Sequence, residues 1–229
     1  MSNLTLLIPA NKEAESLPIF LRELENFNFH KLVVLQEEDI ETIDSISKIK
    51  NIEILKQKNK GYGSALKEGI EKINTEFFCV INADGSMDPA YLDHMLELCQ
   101  NTDFVFASRY LKNGGSDDDN IVTLVGNKFF SFLGNFLFKL NLSDILYTYL
   151  IGRTVTAKKL KLSYFDFRIC VEIPIMLKIK GFHFKSTASK ERKRIAGKKK
   201  VNAIKDGFLI LTAIIVLFLK KFQKIKKID

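Results

Sequence analysis

The chain has 229 residues, enough for one large domain or a domain with a small appendage, and its 46% hydrophobic content supports a packed core. Three cysteines (Cys79, Cys99, Cys170), odd in number and without Cys-x-x-Cys spacing, argue against a disulfide framework or a zinc site and fit a reducing compartment. The net charge of +8 is uneven, because residues 185–227 hold 14 Lys or Arg against Glu191 and Asp206, leaving the remainder at −4. A basic tail on a mildly acidic body points to an anionic partner: nucleic acid, phospholipid or a phosphorylated substrate.

In chain order, the first element is an apolar run at 4–8, ended by Pro9 and too short for a secretory leader. Ser16 is expected to cap a helix with Pro18 in its first turn and Leu17, Leu21 and Leu24 inward. Strand-like runs follow at 31–35 and 52–55. "NKGYGSALKEG" (59–69) then opens a helix with Leu66, Ile70 and Ile73 on one face. The run at 77–81 stops abruptly in Asn82-Ala83-Asp84-Gly85-Ser86, and Asp88 caps a helix starting at Pro89 with Leu92, Met95, Leu96 and Cys99 inward. A fifth strand is expected at 104–107. Such alternation predicts an α/β fold, a mostly parallel sheet with helices on both faces. Ligands bind at the carboxyl ends of strands in such sheets, and Asp84 lies at one.

The second half is denser in Phe and Leu. Residues 126–150 show no clean single-face period, as expected of a helix buried all round or touching lipid. Residues 167–180 read as a helix or strand–helix unit interrupted by Pro174, and "FHFKSTA" as a strand. The charge-free run 208–219 would span about 18 Å as a helix, short of a hydrocarbon core of about 30 Å. Lysines crowd its exit at 220, 221, 224, 226 and 227. It is expected to lie in a membrane interface, the alternative being an ordinary packed terminal helix.

Two constellations carry chemistry. Asp84, with Asn82 and Ser86 on the same side of an extended chain, supplies hard oxygens suited to Mg²⁺ or Mn²⁺, which need only one or two carboxylates when substrate phosphates complete the shell. The rival is an Asx-turn in which Asp84 bonds its own backbone. The glycine loop offers amides to an anion beside Lys60. A dinucleotide fingerprint is the rival here, but Leu66 stands where its third glycine belongs. His30, His94 and His183 show no paired ligand spacing. The basic stretch 192–200 has few interleaved aromatics and apolar flanks, favouring a lipid surface over nucleic acid.

The order "LLIPANKEAESL", "NKGYGSALKEGI", "VINADGSMDPAYL", "FASRYLKNGG" resembles the N-terminal half of family 2 glycosyltransferases, which have the GT-A fold. With "GNKFFSFLGNFLFKLNLSD", "FRICVEIPI" and "ERKRIAGKKKVNAIKDG", the likeness extends to the polyprenyl-phosphate sugar transferases of dolichyl-phosphate mannosyltransferase type. The resemblance implies a nucleotide-sugar pocket at Pro9, Asn11 and Glu13, with Lys60, Gly61 and Gly63 nearby and a metal turn at Asn82, Asp84 and Ser86. It further implies that Arg109, Arg192 and Arg194 face donor and acceptor phosphates, that Lys128 assists, and that Asp144 and Glu172 hold acidic positions of the acceptor half. The chain would divide into a donor half (1–108), an acceptor half (109–200) and a membrane-associating helix (201–229).

This sequence departs from the family at three places. Gln36, Glu37 and Glu38 stand where an Asp-Asp pair is usual, Asn82 replaces the first Asp of the metal turn, and "ILYTYLIGR" replaces Ser-Gly-Phe-Arg. With no tryptophan, the Gln-x-x-Arg-Trp signature of processive synthases is absent. The expected activity is inverting transfer of a sugar to a polyprenyl phosphate at the cytoplasmic membrane face. An anionic membrane surface and no nucleic acid are the expected partners. Two alternatives stay open: a soluble transferase using Asp144 or Glu172 as base toward a hydroxyl, and a non-catalytic binding module.

Overall fold

The computed structural model describes residues 3–197 and 202–225. Lys198, Lys199, Lys200, Lys226 and Lys227 of the basic runs lie outside the described residues. The elements run β1 (Leu4–Pro9), α1 (Leu17–Glu23), β2 (His30–Gln36), α2 (Ile40–Ile46), β3 (Ile52–Gln57), α3 (Tyr62–Lys72), β4 (Phe77–Val80), α4 (Leu92–Cys99), β5 (Phe104–Ser108) and β6 (Gly115–Ser116). They continue with α5 (Ile121–Phe138), β7 (Leu150–Arg153), α6 (Thr154–Leu160), α7 (Ile169–Lys180), β8 (Phe184–Ala188), β9 (Lys190–Glu191) and α8 (Ala203–Ile225).

Seven strands form one sheet in the order β3-β2-β1-β4-β7-β5-β8. Only β7 is antiparallel to its neighbours β4 and β5. The two predicted halves therefore share one sheet, with β7 from the second half wedged into the first. Each strand alternates its side chains between two cores, as a pleat of period two requires. Leu4, Leu6 and Ile8 of β1 pack with Phe20, Met95 and Cys99 on one face, while Leu7 meets Leu66, Ile70 and the Phe78–Phe104–Phe106 cluster on the other.

Three local expectations are corrected. Ser16 makes no side-chain cap; its hydroxyl instead donates to Glu13 Oε2 at 2.6 Å. Asp88 does accept from the Ala90 amide, but it caps a short 3₁₀ turn at Pro89–Tyr91 that leads into α4. Pro174 sits inside α7 without ending it. The missing N–H removes one helix bond, and the helix is held by burial of Ile169, Val171, Ile173, Ile175 and Leu177.

The apolar C-terminal run forms part of α8, which packs on α5 and α7. Ile210, Ala213, Ile214 and Leu217 form its buried stripe, and Phe208, Ile215, Val216 and Leu219 are exposed. Among the described residues, α5 is the one helix long and apolar enough to cross a membrane, by length and composition. Its core contacts are Ser131, Gly134 and Phe138, whereas Val122, Val125, Phe129, Phe132 and Phe136 face outward. This two-sided apolarity explains why the sequence showed no single-face period.

Candidate active site

A cleft of about 470 Å³ opens at the carboxyl ends of β1, β2, β4 and β5. Its floor is the turn that follows β4. Asp84 Oδ1 accepts from the Ser86 amide at 3.0 Å and from the Ser86 hydroxyl at 2.7 Å, the Asx-turn weighed from sequence. Oδ2 is left pointing elsewhere, with Arg194 Nη1 3.3 Å away. Asn82 Oδ1 accepts from the Tyr62 hydroxyl, which also bonds Thr148 at 2.6 Å. Burial pushes the Tyr62 phenol well above its usual pKa, so it stays a neutral donor.

The segment after β8 is stitched over this turn. The Arg192 amide donates to Ser86 O and the Ile195 amide to Asp84 O, both backbone bonds, at 2.8 and 2.9 Å. Gly85, at φ +72°, leaves the space that Ile195 fills, since a Cβ there would lie 2.5 Å from its Cδ1. Arg194 bridges the turn to a second acid, with Nη2 at 2.9 Å from Asp118 Oδ2.

Behind the cleft, Arg109 is buried in a nest of carboxylates. It grips Asp144 through Nε at 2.7 Å and Nη2 at 3.0 Å, and reaches Glu191 through Nη1 at 3.1 Å and Asp119 at 3.5 Å. Burial would lower the arginine's pKa, but Asp144 and Glu191 outweigh it and hold the guanidinium charged. Its Cζ lies 4.5 Å from the Tyr147 ring centre. For Glu191 the balance is reversed: burial raises its pKa against the opposing pull of Arg109 and Ser116.

These strand-end loops are where an α/β sheet builds its ligand sites, and a family model for glycosyl transferase family 2 matches residues 5–160. The chain belongs to glycosyl transferase family 2. Uncharacterized glycosyltransferases of Mycobacterium bovis and Mycobacterium tuberculosis are each 28% identical over 106 residues, covering 46% of this chain and 48% of the relative. The chain thus spans about half the length of these curated relatives. Glucosyl-3-phosphoglycerate synthase of M. tuberculosis, crystallised with Mn²⁺, UDP and phosphoglyceric acid, is 11% identical with a TM-score of 0.65, over 95% of this chain and 78% of that one. Mannosyl-3-phosphoglycerate synthase of Rubrobacter xylanophilus is 15% identical with a TM-score of 0.68, over 98% and 75%. At such identities the likeness is one of fold, which is GT-A.

Within this member of the family, the cleft brings together Pro9, Asn11, Glu13, Gly61, Asn82, Asp84, Ser86, Arg109 and Arg194. Other expected residues lie outside its lining. Lys60 is exposed and pairs with Glu38 at 3.5 Å, and Lys128 is exposed on α5. Asp144 is spent on Arg109. Glu172 is buried and accepts from the amides of Ser163 and Tyr164, fixing a loop rather than facing an acceptor. Arg192 grips Glu23 at 2.7 and 3.0 Å and the Gly85 carbonyl at 2.9 Å, so it braces the turn instead of offering a phosphate contact.

The glycine loop is also reassigned. The Ser64 amide at the start of α3 donates to Phe165 O at 3.1 Å, not to an open anion site. A Cβ on Gly61 would lie 2.2 Å from Phe165 O and one on Gly63 2.7 Å from Tyr164 O, so both glycines admit the 164–166 backbone. That loop stacks Phe167 on Tyr62 with ring centres 5.0 Å apart, both lining the cleft.

Among the described residues no group of three or more His, Cys, Asp or Glu is arranged to hold a metal. The turn does fit a one-carboxylate site. Among the described residues, Asp84 Oδ2 makes only a long ion pair, and Mg²⁺ or Mn²⁺ takes most of its shell from water and phosphate oxygens.

Cleft residues not anticipated from sequence include Tyr62, Gln57, Asp118, Asp119 and Glu191. Glu191 was hidden as the first residue of "ERKR", where its neighbours read as a basic patch.

Proposed function

We propose that this chain transfers a sugar, with inversion, from a nucleotide-sugar donor to a membrane-borne acceptor at the cytoplasmic face. One observation carries the membrane part. The cleft reaches Thr123 and Asn127 of α5 and Ile210 of α8, the two helices that turn bare apolar faces outward. Helices with one packed side and one exposed apolar side suit the headgroup boundary, with lysines such as Lys220 and Lys221 drawn to anionic lipid.

The donor would lie across the ends of β1 and β4. Asp84, with Asn82 and Ser86 beside it, would hold Mg²⁺ or Mn²⁺ against the diphosphate, where a divalent ion neutralises the leaving group's charge. Arg194, shared between Asp84 at 3.3 Å and Asp118 at 2.9 Å, would release Asp84 and turn toward the diphosphate, whereas Arg109 and Arg192 are committed to internal partners. The mycobacterial synthase crystallised with Mn²⁺ and UDP-glucose supports uridine diphosphate sugars as the first donors to try.

The test is co-sedimentation with vesicles containing anionic lipid, followed by transfer from labelled UDP- and GDP-sugars to the lipid phase. Label in lipid and vesicle binding abolished by Phe132→Ser with Phe136→Ser support the reading. A second reading, a soluble phosphate-bearing acceptor, is favoured by the phosphoglyceric acid bound in the crystallised mycobacterial synthase. Water-soluble labelled product with no vesicle binding would select it.

A further inference from the structure

Both acids offered from sequence as a base are occupied: Asp144 is bound at both oxygens by Arg109, and Glu172 holds the 163–164 backbone. The cleft keeps another carboxylate with an oxygen to spare. Glu191 is 8% exposed and lines the cavity. Its Oε2 accepts from Arg109 Nη1 and the Ser116 hydroxyl, while Oε1 has no hydrogen-bond partner among the described residues. Backbone geometry fixes the side chain's origin, since Glu191 bridges Met87 beside the Asp84 turn and pairs with Ser116 across the β6–β9 ladder. Asp144 in turn aims Arg109 at Glu191.

From this we propose that the attacking group of the acceptor is a neutral hydroxyl and that Glu191 Oε1 takes its proton. The proposal rests on the transferase reading above and deepens it by naming the acceptor's chemistry. In the step, the acceptor oxygen forms a bond to the anomeric carbon. The bond from that carbon to the diphosphate oxygen breaks, and its electron pair leaves with the nucleoside diphosphate. The hydroxyl proton passes to Glu191 and then to solvent. A phosphate acceptor would need no such base, being already anionic at neutral pH. Burial, which raises the affinity of Glu191 for a proton, makes it a better acceptor than an exposed carboxylate. Arg109 and Ser116 keep Oε2 engaged, so the accepting oxygen is defined.

The test uses Glu191→Gln, which keeps the side chain's shape, with UDP- and GDP-sugars as probes. Binding is read by calorimetry, and turnover is read as hydrolysis and as transfer to a lipid extract and to a synthetic polyprenyl phosphate. The expected result is unchanged donor affinity with kcat lowered about 100-fold or more for hydrolysis and hydroxyl transfer. Should the Gln variant fail to fold, Glu191→Asp carries the same test, with an intermediate loss in kcat at unchanged donor affinity. Full turnover in the variant, or wild-type transfer to the polyprenyl phosphate alone, overturns the proposal while leaving the transferase reading intact. A wild-type protein that binds no nucleotide sugar overturns both.

Discussion

Arg194 Nη1 lies 3.3 Å from Asp84 Oδ2, the carboxylate oxygen that the Ser86 bonds leave to a divalent ion. The two cations compete for one oxygen. Arg194→Ala is therefore expected to strengthen binding of Mn²⁺ alone several-fold and to weaken binding of nucleotide with Mn²⁺ by about tenfold or more. Electron paramagnetic resonance for the ion and calorimetry for the nucleotide separate the two effects. Changes of the same sign would contradict this exchange.

Arg192, two residues earlier, is predicted to behave as a brace. Its contacts to Glu23 and Gly85 O are about one-third exposed, so Arg192→Ala should cost about 1–2 kcal/mol after screening. For a chain of this size that corresponds to a fall in Tm of roughly 3–6 °C. Acceptor KM should move no more than donor KM, because a loosened Asp84 turn affects both. A selective rise in acceptor KM with unchanged Tm would restore Arg192 to a phosphate site.

The pair formed by Arg109 and Asp144 is buried on both sides. Asp144→Asn leaves the guanidinium with weaker compensation, and breaking such a pair costs about 3–5 kcal/mol. Urea unfolding should show a clear loss in midpoint. A loss below 1 kcal/mol would mean that Glu191 and Asp119 suffice to hold the charge.

Gly61 has φ +113° and abuts Phe165 O. In Gly61→Ala both strain and collision push the 164–167 loop away, carrying Phe167 off Tyr62. Nucleotide affinity should drop together with thermal stability. Unchanged affinity in a destabilised protein would show that this aromatic wall does not touch the donor.

Strands β1 to β5 were legible because each is a short apolar run bounded by turn residues, whereas β7, inside "ILYTYLIGR", was not anticipated. Asp84 was legible because an apolar run ending in polar oxygens is unusual in a core. What escaped were residues whose roles depend on partners distant in sequence. Arg192 and Arg194 look alike in "ERKR", yet one meets Glu23 and Gly85, the other Asp84 and Asp118. The glycines at 61 and 63 read as an anion cradle because sequence does not reveal that the 164–166 backbone fills it. Pro174 misled for a related reason, since burial on both sides of α7 outweighs a single lost hydrogen bond.

The central claim is that the Asp84 turn binds a nucleotide sugar with a divalent ion. Calorimetric titration of UDP- and GDP-sugars, with and without Mn²⁺, into wild type and Asp84→Ala tests it most directly. The account predicts binding of at least one donor that requires Mn²⁺ and weakens about 100-fold or more in Asp84→Ala, with the fold intact by circular dichroism. Donor binding of equal strength in both proteins, or in neither, would contradict it.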